Sequence, residues 1–264
     1  MRNAFAIARK ELSIYFTTPL AYIVATALMA LGSFFFISAL ERFKQAHEMA
    51  RMMGWQQIPG ELRNLTDGVM VPLWGVLLVI TLFVAPFLSM RLFAEEKRQK
   101  TLELLMTAPV RPVEIVLGKY LGALGVVGAS LGLTIVFPII ISMFGSSESG
   151  SALEWSTVLL GFGGLLLWGA TCMAVGMFMS SLTESQMLAA ILTFAVLLPW
   201  WLLVNLAQTA EEPVRSILGH LSFHVQLQDM MGGVLSLKAL VFFASVILFS
   251  LFLTHRAVEA RRWA

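Results

Sequence analysis

The sequence predicts an all-α membrane protein: six transmembrane helices, an amphipathic interfacial helix ahead of the first, and a charged helix between the second and third. Three observations carry that prediction. The 264 residues are 58% hydrophobic and only 13% charged, about half the charged fraction of a soluble domain. The apolar residues gather into six uncharged stretches that are long enough, or nearly so, to cross ~30 Å of hydrocarbon. Between two of these stretches lies Arg91–Lys119, where six basic and four acidic residues crowd together and must meet water.

The first sixteen residues are too short and too charged to span. Phe5, Ala8, Leu12 and Tyr15 repeat at helical spacing, while Arg9 and Lys10 fall off that face. This pattern predicts a helix lying in the interface, apolar side inward and basic side toward lipid headgroups; the plainer alternative is a solvated N-terminus. Thr17, Thr18 and Pro19 end it. The spans are expected near 20–40, 69–90, 120–144, 156–180, 185–206 and 235–254. Only four residues, Ser181–Glu184, separate the fourth from the fifth, which makes a tight hairpin. Lys238 sits at the start of the sixth and can snorkel to the interface. Pro86, Pro138 and Pro199 lie inside spans as candidate kinks. Nothing has the form of a cleaved signal peptide.

Six spans place both termini on one side. That side holds Arg2, Arg9, Lys10, Arg91, Lys97, Arg98, Lys100, Arg111, Lys119, Arg256, Arg261 and Arg262; the other holds Arg42, Lys44, Arg51, Arg63, Arg215 and Lys238. Twelve cations against six make the termini cytoplasmic. Within the charged loop, Ala94–Thr107 is built of strong helix formers, with Glu96 and Lys100 spaced to pair and a short apolar stripe of Leu102, Leu105 and Met106. Pro109 and Pro112 then close one helix and open the next. An ordinary solvated loop explains the charges; the apolar stripe argues for a protein partner. On the outer side, Glu41–Gly68 suggests a polar-faced helix broken at Pro59-Gly60. There too, 207–233 suggests short interfacial or re-entrant helices before the last span. Trp155, Trp200, Trp201 and Trp263 lie near span ends, where interfacial anchors sit.

What is missing is as informative. No G-x-x-x-x-G-K-[ST] pattern occurs, so ATP hydrolysis by this chain alone is not expected. The predicted span interiors hold no acid, base or histidine, which argues against an ion-coupled carrier and against an intramembrane protease. The small net charge of +2 gives no reason to expect nucleic acid. Cys172 stands alone in an apolar run and pairs with nothing. Gly118, Gly122 and Gly125 in the third span, and Gly161, Gly164, Gly169 and Gly176 in the fourth, allow close helix approach. His220 and His224 share a helix face near Met230 and Met231, a combination that suits soft copper. Methionine is abundant throughout this chain, so no metal site is expected there.

Several segments together resemble the ABC-2 class of ABC transporter permeases: A-R-K-E-L at Ala8–Leu12, E-E-K-R-Q-K-T-L-E-L-L-M-T-A-P-V at Glu95–Val110, I-V-L-G-K-Y at Ile115–Tyr120, S-S-L-T-E-S-Q at Ser180–Gln186 and the run Leu221–Lys238. The likeness covers essentially the whole chain. It is nearest to the gliding-associated type, with the copper-maturation type of nitrous oxide reductase more distant. Family members often carry Gly where Lys100 stands; as Lys is the better helix former, the helix is expected to run through it.

The resemblance implies an ATP-driven exporter subunit of a bacterial cytoplasmic (inner) membrane, with the interfacial helix formed by Phe5, Arg9, Lys10, Leu12 and Tyr15. Ala94–Thr107 would be a coupling helix docking on a cytoplasmic ATPase, with Leu102, Leu105 and Met106 as apolar anchors and Glu96, Lys97, Arg98, Thr101 and Glu103 around them. ATP and Mg²⁺ would bind the ATPase pair, not this chain. A second permease copy or a related permease would complete the membrane part, and an accessory outer or membrane subunit could join it. The alternative, of a different class, is a non-transporting membrane anchor through which ATP hydrolysis drives assembly or mechanical work on an outer partner. The substrate is not legible.

Overall fold

The computed structural model describes residues 2–53, 62, 64–103, 110–145 and 153–260. Its elements are helices, with no strand among the described residues. In chain order they are α1 (Arg2–Thr17), α2 (Pro19–Met53), α3 (Val71–Ser89), α4 (Arg91–Arg98), α5 (Pro112–Leu133), α6 (Val136–Phe144), α7 (Trp155–Leu182), α8 (Gln186–Thr209), α9 (Val214–Leu221), α10 (Phe223–Met231) and α11 (Leu237–Ala260). Six stretches are long and apolar enough to cross a membrane: Pro19–Met52, Thr66–Arg98, Pro112–Phe144, Trp155–Leu182, Gln186–Thr209 and Leu237–Ala260. Each contains most of one predicted span.

The centre of the bundle is α7. Of its apolar window 72% is buried, against 28% for α2, 17% for α8 and 22% for α11. Its glycines explain how neighbours come so near. A Cβ at Gly161 would lie 2.5 Å from the Trp74 ring of α3, and one at Gly169 would lie 2.8 Å from Val127 of α5. The expected small-residue packing between spans is present at these positions. The α7–α8 hairpin closes as predicted, with Ser185 Oγ accepting the backbone N–H of Leu188 at the start of α8 (3.4 Å).

Several boundaries differ from the sequence reading, each for a local reason. The helix α2 does not stop near Leu40; it continues to Met53, about 20 Å further at 1.5 Å per residue. Pro59-Gly60, the expected break beyond it, lies outside the described residues. A turn of π-helix, Thr66–Met70, precedes α3. The third span is two helices rather than one. Thr134 donates its hydroxyl to Leu131 O (2.6 Å), and Pro138 has no N–H to offer Thr134 O, which accepts from Phe137 N instead (3.1 Å). By contrast, Pro86 and Pro199 are accommodated within continuous helices.

The segment 207–233, expected to hold short interfacial or re-entrant helices, forms α9 and α10. The two helices meet at the Leu221–Phe223 corner. There Trp200 Nε1 of α8 donates to Leu221 O (2.8 Å), and the Phe223 ring stacks on Trp168 of α7 with centroids 3.7 Å apart. Trp168 lies thirteen residues inside α7, about 20 Å from its start. From that corner α10 climbs back along α7, burying Phe223, Leu227, Met230 and Met231, and it reaches Gly233. That glycine has φ +80° and lies so close to Thr157 that a side chain there would collide with it. Trp200 therefore holds the α9–α10 corner against α8.

Candidate functional site

The charged segment between α3 and α5 is the candidate site, and it does not hang free. Met90 keeps helical angles, so α4 continues directly from α3. Leu92, Phe93, Ala94 and Lys97 are buried against the end of α7. Ser180 of α7 accepts from the backbone N–H groups of Phe93 (3.1 Å) and Ala94 (3.0 Å) and donates to Met90 O (2.9 Å). The Lys97 ammonium donates to Ser181 O. One hydroxyl thus holds the junction of two helices. Ser180→Ala should lower stability by about 1–3 kcal/mol, the cost of leaving buried polar groups without a partner. Thermal unfolding in detergent measures this, and an unchanged midpoint would refute it.

The helix predicted over Ala94–Thr107 is interrupted. At Lys100 φ is +56°, a left-handed conformation that strains an L-residue and suits glycine. It ends α4, with Gln99 N bonded to Glu95 O (3.0 Å) and Lys100 N to Lys97 O (3.1 Å). Helix resumes over 101–103. Helix propensity was therefore the wrong criterion at this position: the backbone needs a turn there, and a glycine fits it better than lysine. The predicted Glu96–Lys100 pair is replaced by one from Glu96 to Lys119.

The break sorts the expected docking residues. Arg98, Gln99, Thr101 and Glu103 are exposed. Glu96 and Lys97 turn inward, and Leu102, expected as an anchor for a partner, is 4% exposed within the chain's own core. Leu105 and Met106 lie outside the described residues.

Beneath this strip is a feature the sequence reading missed. Lys119, in the second turn of α5, is 1% exposed and reaches two carboxylates: Glu11 of α1 and Glu96 of α4, each at 2.8 Å. Its ammonium also sits 5.4 Å from the centre of the Phe93 ring. One buried cation therefore ties three separate elements together. The Glu96 Oε2 atom is buried without a hydrogen-bond partner among the described residues. A cavity of about 230 Å³ opens beside the cluster, bordered by Lys10, Arg91, Glu95, Gln99 and Thr101; Arg91 and Glu95 are themselves paired at 2.7 Å. The three partners lie far apart in sequence, so no local pattern announces them.

The stripe Gly118, Gly122 and Gly125 is what brings α1 within reach. A Cβ on Gly118 would lie 2.7 Å from Ala4 O, one on Gly122 2.6 Å from Glu11 Cβ, and one on Gly125 2.9 Å from Leu12 Cδ2. These glycines seat the N-terminal helix rather than another span. The buried face of α1 is accordingly Ala4, Ala8, Glu11 and Tyr15, with Leu12 partly covered. Phe5, expected on the apolar face, is 73% exposed, while Arg9 and Lys10 are exposed as predicted. Tyr15 donates its hydroxyl to Leu88 O of α3 (2.5 Å). Burial, with the Glu11 carboxylate adding to it, pushes that phenol above its usual range, so it stays a donor at any physiological pH.

The far end of the bundle holds the two histidines weighed as metal ligands. His220 Nδ1 lies 2.6 Å from Ser216 O. No group of three His, Cys, Asp or Glu side chains suited to a metal ion occurs among the described residues. Cys172 is buried in α7 and unpaired.

The architecture is six apolar helices, a surface helix packed on the third span, a charged segment grafted onto the second, and a short helix pair before the last. The family model described as ABC-2 family transporter protein matches residues 5–254, which is nearly all of it. The chain belongs to the ABC-2 family. No curated protein matches the chain. As an ABC-2 protein it is a multi-pass membrane subunit of the ABC transporter permease kind, which is typically non-catalytic and associates with an ABC ATPase. Its buried charged cluster joins α1, α4 and α5.

Proposed function

We propose that this chain is the membrane half of an ATP-driven exporter, and that force from a separate cytoplasmic ATPase enters it through the α4 segment. The observation that carries this reading is the Glu11–Lys119–Glu96 cluster directly under the exposed strip Arg98, Gln99, Thr101 and Glu103. A pull or push on the strip reaches the third span through Lys119 and the surface helix through Glu11 without relying on a flexible loop. The termini and the strip are then cytoplasmic, in agreement with the excess of cations on that side. ATP and Mg²⁺ are held by the paired ATPases, so a second permease, identical or related, completes the assembly. Docking rests on Arg98, Thr101 and Glu103 together with the following Leu105 and Met106. Since Leu102 points into the chain's own core, Leu102→Asp would test folding rather than docking.

The decisive experiment is co-reconstitution with the ATPase in vesicles, following hydrolysis and the movement of candidate cargo together. Hydrolysis stimulated by this chain and accompanied by cargo movement supports the exporter reading. A second reading, a membrane anchor for mechanical work on an outer partner, draws support from α2. At 35 residues it is about 52 Å long, well beyond the ~30 Å of hydrocarbon, and its far end is polar. Hydrolysis that moves no cargo and depends on an outer protein would favour the anchor.

A further inference from the structure

At the end of the bundle opposite α1, a cavity of about 210 Å³ opens between the last turns of α8 and the α9–α10 pair. Four polar side chains face it: Gln208 from α8, Arg215 from α9, and His224 and Gln228 from α10. None of the four makes a side-chain hydrogen bond or ion pair with another group among the described residues. All four can donate a proton in a hydrogen bond, one carries a fixed positive charge, and no carboxylate lines the space. Glu211, Glu212 and Asp229 belong to the same stretch of chain and stay outside the lining. The remaining wall is apolar, including Val204 and Val225.

The walls are fixed by independent contacts. Trp200 Nε1 bonds Leu221 O, Gln226 Nε2 bonds His220 O (2.9 Å), and Phe223 stacks on Trp168. The α9–α10 corner beside the space is therefore held in place, with Gln208, Arg215 and Gln228 exposed at its mouth. Around it the short helix α9 and the end of α8 turn Leu206, Val214, Ile217 and Leu221 outward, each at least half exposed, so the surrounding surface is suited to acyl chains.

We propose that this cavity binds the phosphate headgroup of an anionic phospholipid. Arg215 supplies a charge-assisted contact to a phosphate oxygen. Gln208, Gln228 and His224 donate to the remaining oxygens, and the apolar surround receives the glycerol and the first methylenes. A zwitterionic choline head fits poorly, because no acidic or aromatic group lines the cavity to receive its ammonium. The site stands apart from the ATPase reading; only its assignment to the outer leaflet rests on the orientation proposed above.

The test uses the full-length chain in detergent with three probes: dioctanoyl phosphatidylglycerol, dioctanoyl phosphatidylcholine and inorganic phosphate, with binding followed by thermal shift and titration. Saturable binding of phosphatidylglycerol is expected. Phosphatidylcholine and free phosphate should bind at least about tenfold more weakly, and Arg215→Ala should weaken phosphatidylglycerol binding by about tenfold, as loss of one charge-assisted contact implies. Arg215 is exposed and makes no side-chain hydrogen bond or ion pair among the described residues, so the variant should melt like wild type without lipid. Arg42→Ala, another exposed cation on α2, should bind lipid normally. Equal binding of the two lipids would overturn the proposal, as would inorganic phosphate binding as tightly as phosphatidylglycerol, or an Arg215→Ala variant that binds like wild type.

Discussion

Lys119→Met should destabilise the protein by about 3–5 kcal/mol, the range found when one partner of a buried ion pair is removed and the other charge is left stranded. Here the effect falls on two carboxylates at once. Glu11 and Glu96 share the ammonium at 2.8 Å each; without it two largely covered carboxylates are left to repel each other beside the cavity. Methionine nearly matches the lysine stem in volume, so the loss comes from charge rather than from a cavity. A triple variant, Lys119→Met with Glu11→Gln and Glu96→Gln, removes all three charges and should recover most of the stability. Thermal unfolding in detergent reads both values. A single variant that melts with the wild type would mean that the cluster is solvated and holds nothing together.

Gly122→Leu should detach the N-terminal helix. The added Cβ would sit 2.6 Å from Glu11 Cβ and 3.1 Å from Ala8 O. Both are at or near the α1 backbone, so no rotamer change makes room. The helix must lift, at a cost of about 1–3 kcal/mol or more, and in lifting it withdraws Glu11 from Lys119 and Tyr15 from Leu88. The expected sign is rapid tryptic cleavage at Arg9 and Lys10 together with reduced coupling of ATP hydrolysis. Gly132, lower on the same helix, has nothing within 4 Å of its would-be Cβ, so Gly132→Leu should cleave no faster than wild type. Equal protease resistance in both variants would show that the glycine stripe does not seat α1.

These two expectations concern the part of the molecule least legible in the sequence. The spans were legible because each is a run of about twenty uncharged residues, and burial in lipid leaves a signal in composition alone. The short helices α9 and α10 were legible for a related reason, being apolar but too short to cross. The α5–α6 break was legible only in part. Pro138 was one of three candidate kinks, but what separates it from Pro86 and Pro199 is Thr134, whose hydroxyl bonds Leu131 O and whose carbonyl accepts from Phe137 N; Thr or Pro alone is common in a membrane helix. Lys100 was misread because propensity describes a helix interior, whereas this position is a turn. Lys119 was read only as a charge that orients the chain. Its partners come from α1 and α4, and contacts between distant segments leave no periodicity to detect. The nearest clue was the glycine stripe flanking it, which pointed to a close neighbour without saying which one. The proposed docking strip was half legible: Arg98, Thr101 and Glu103 are exposed, as docking would require, but the inward turn of Glu96, Lys97 and Leu102 depends on packing against α7 and α5.

On the proposed function, an ATPase grips the exposed strip above the buried cluster. Arg98→Glu with Glu103→Arg reverses two exposed charges that do not contribute to the core. The measurement is co-purification of the ATPase with this chain from detergent-solubilised membranes. The double variant should insert and melt like the wild type yet lose the ATPase; full retention of the ATPase by that variant would contradict docking on the strip.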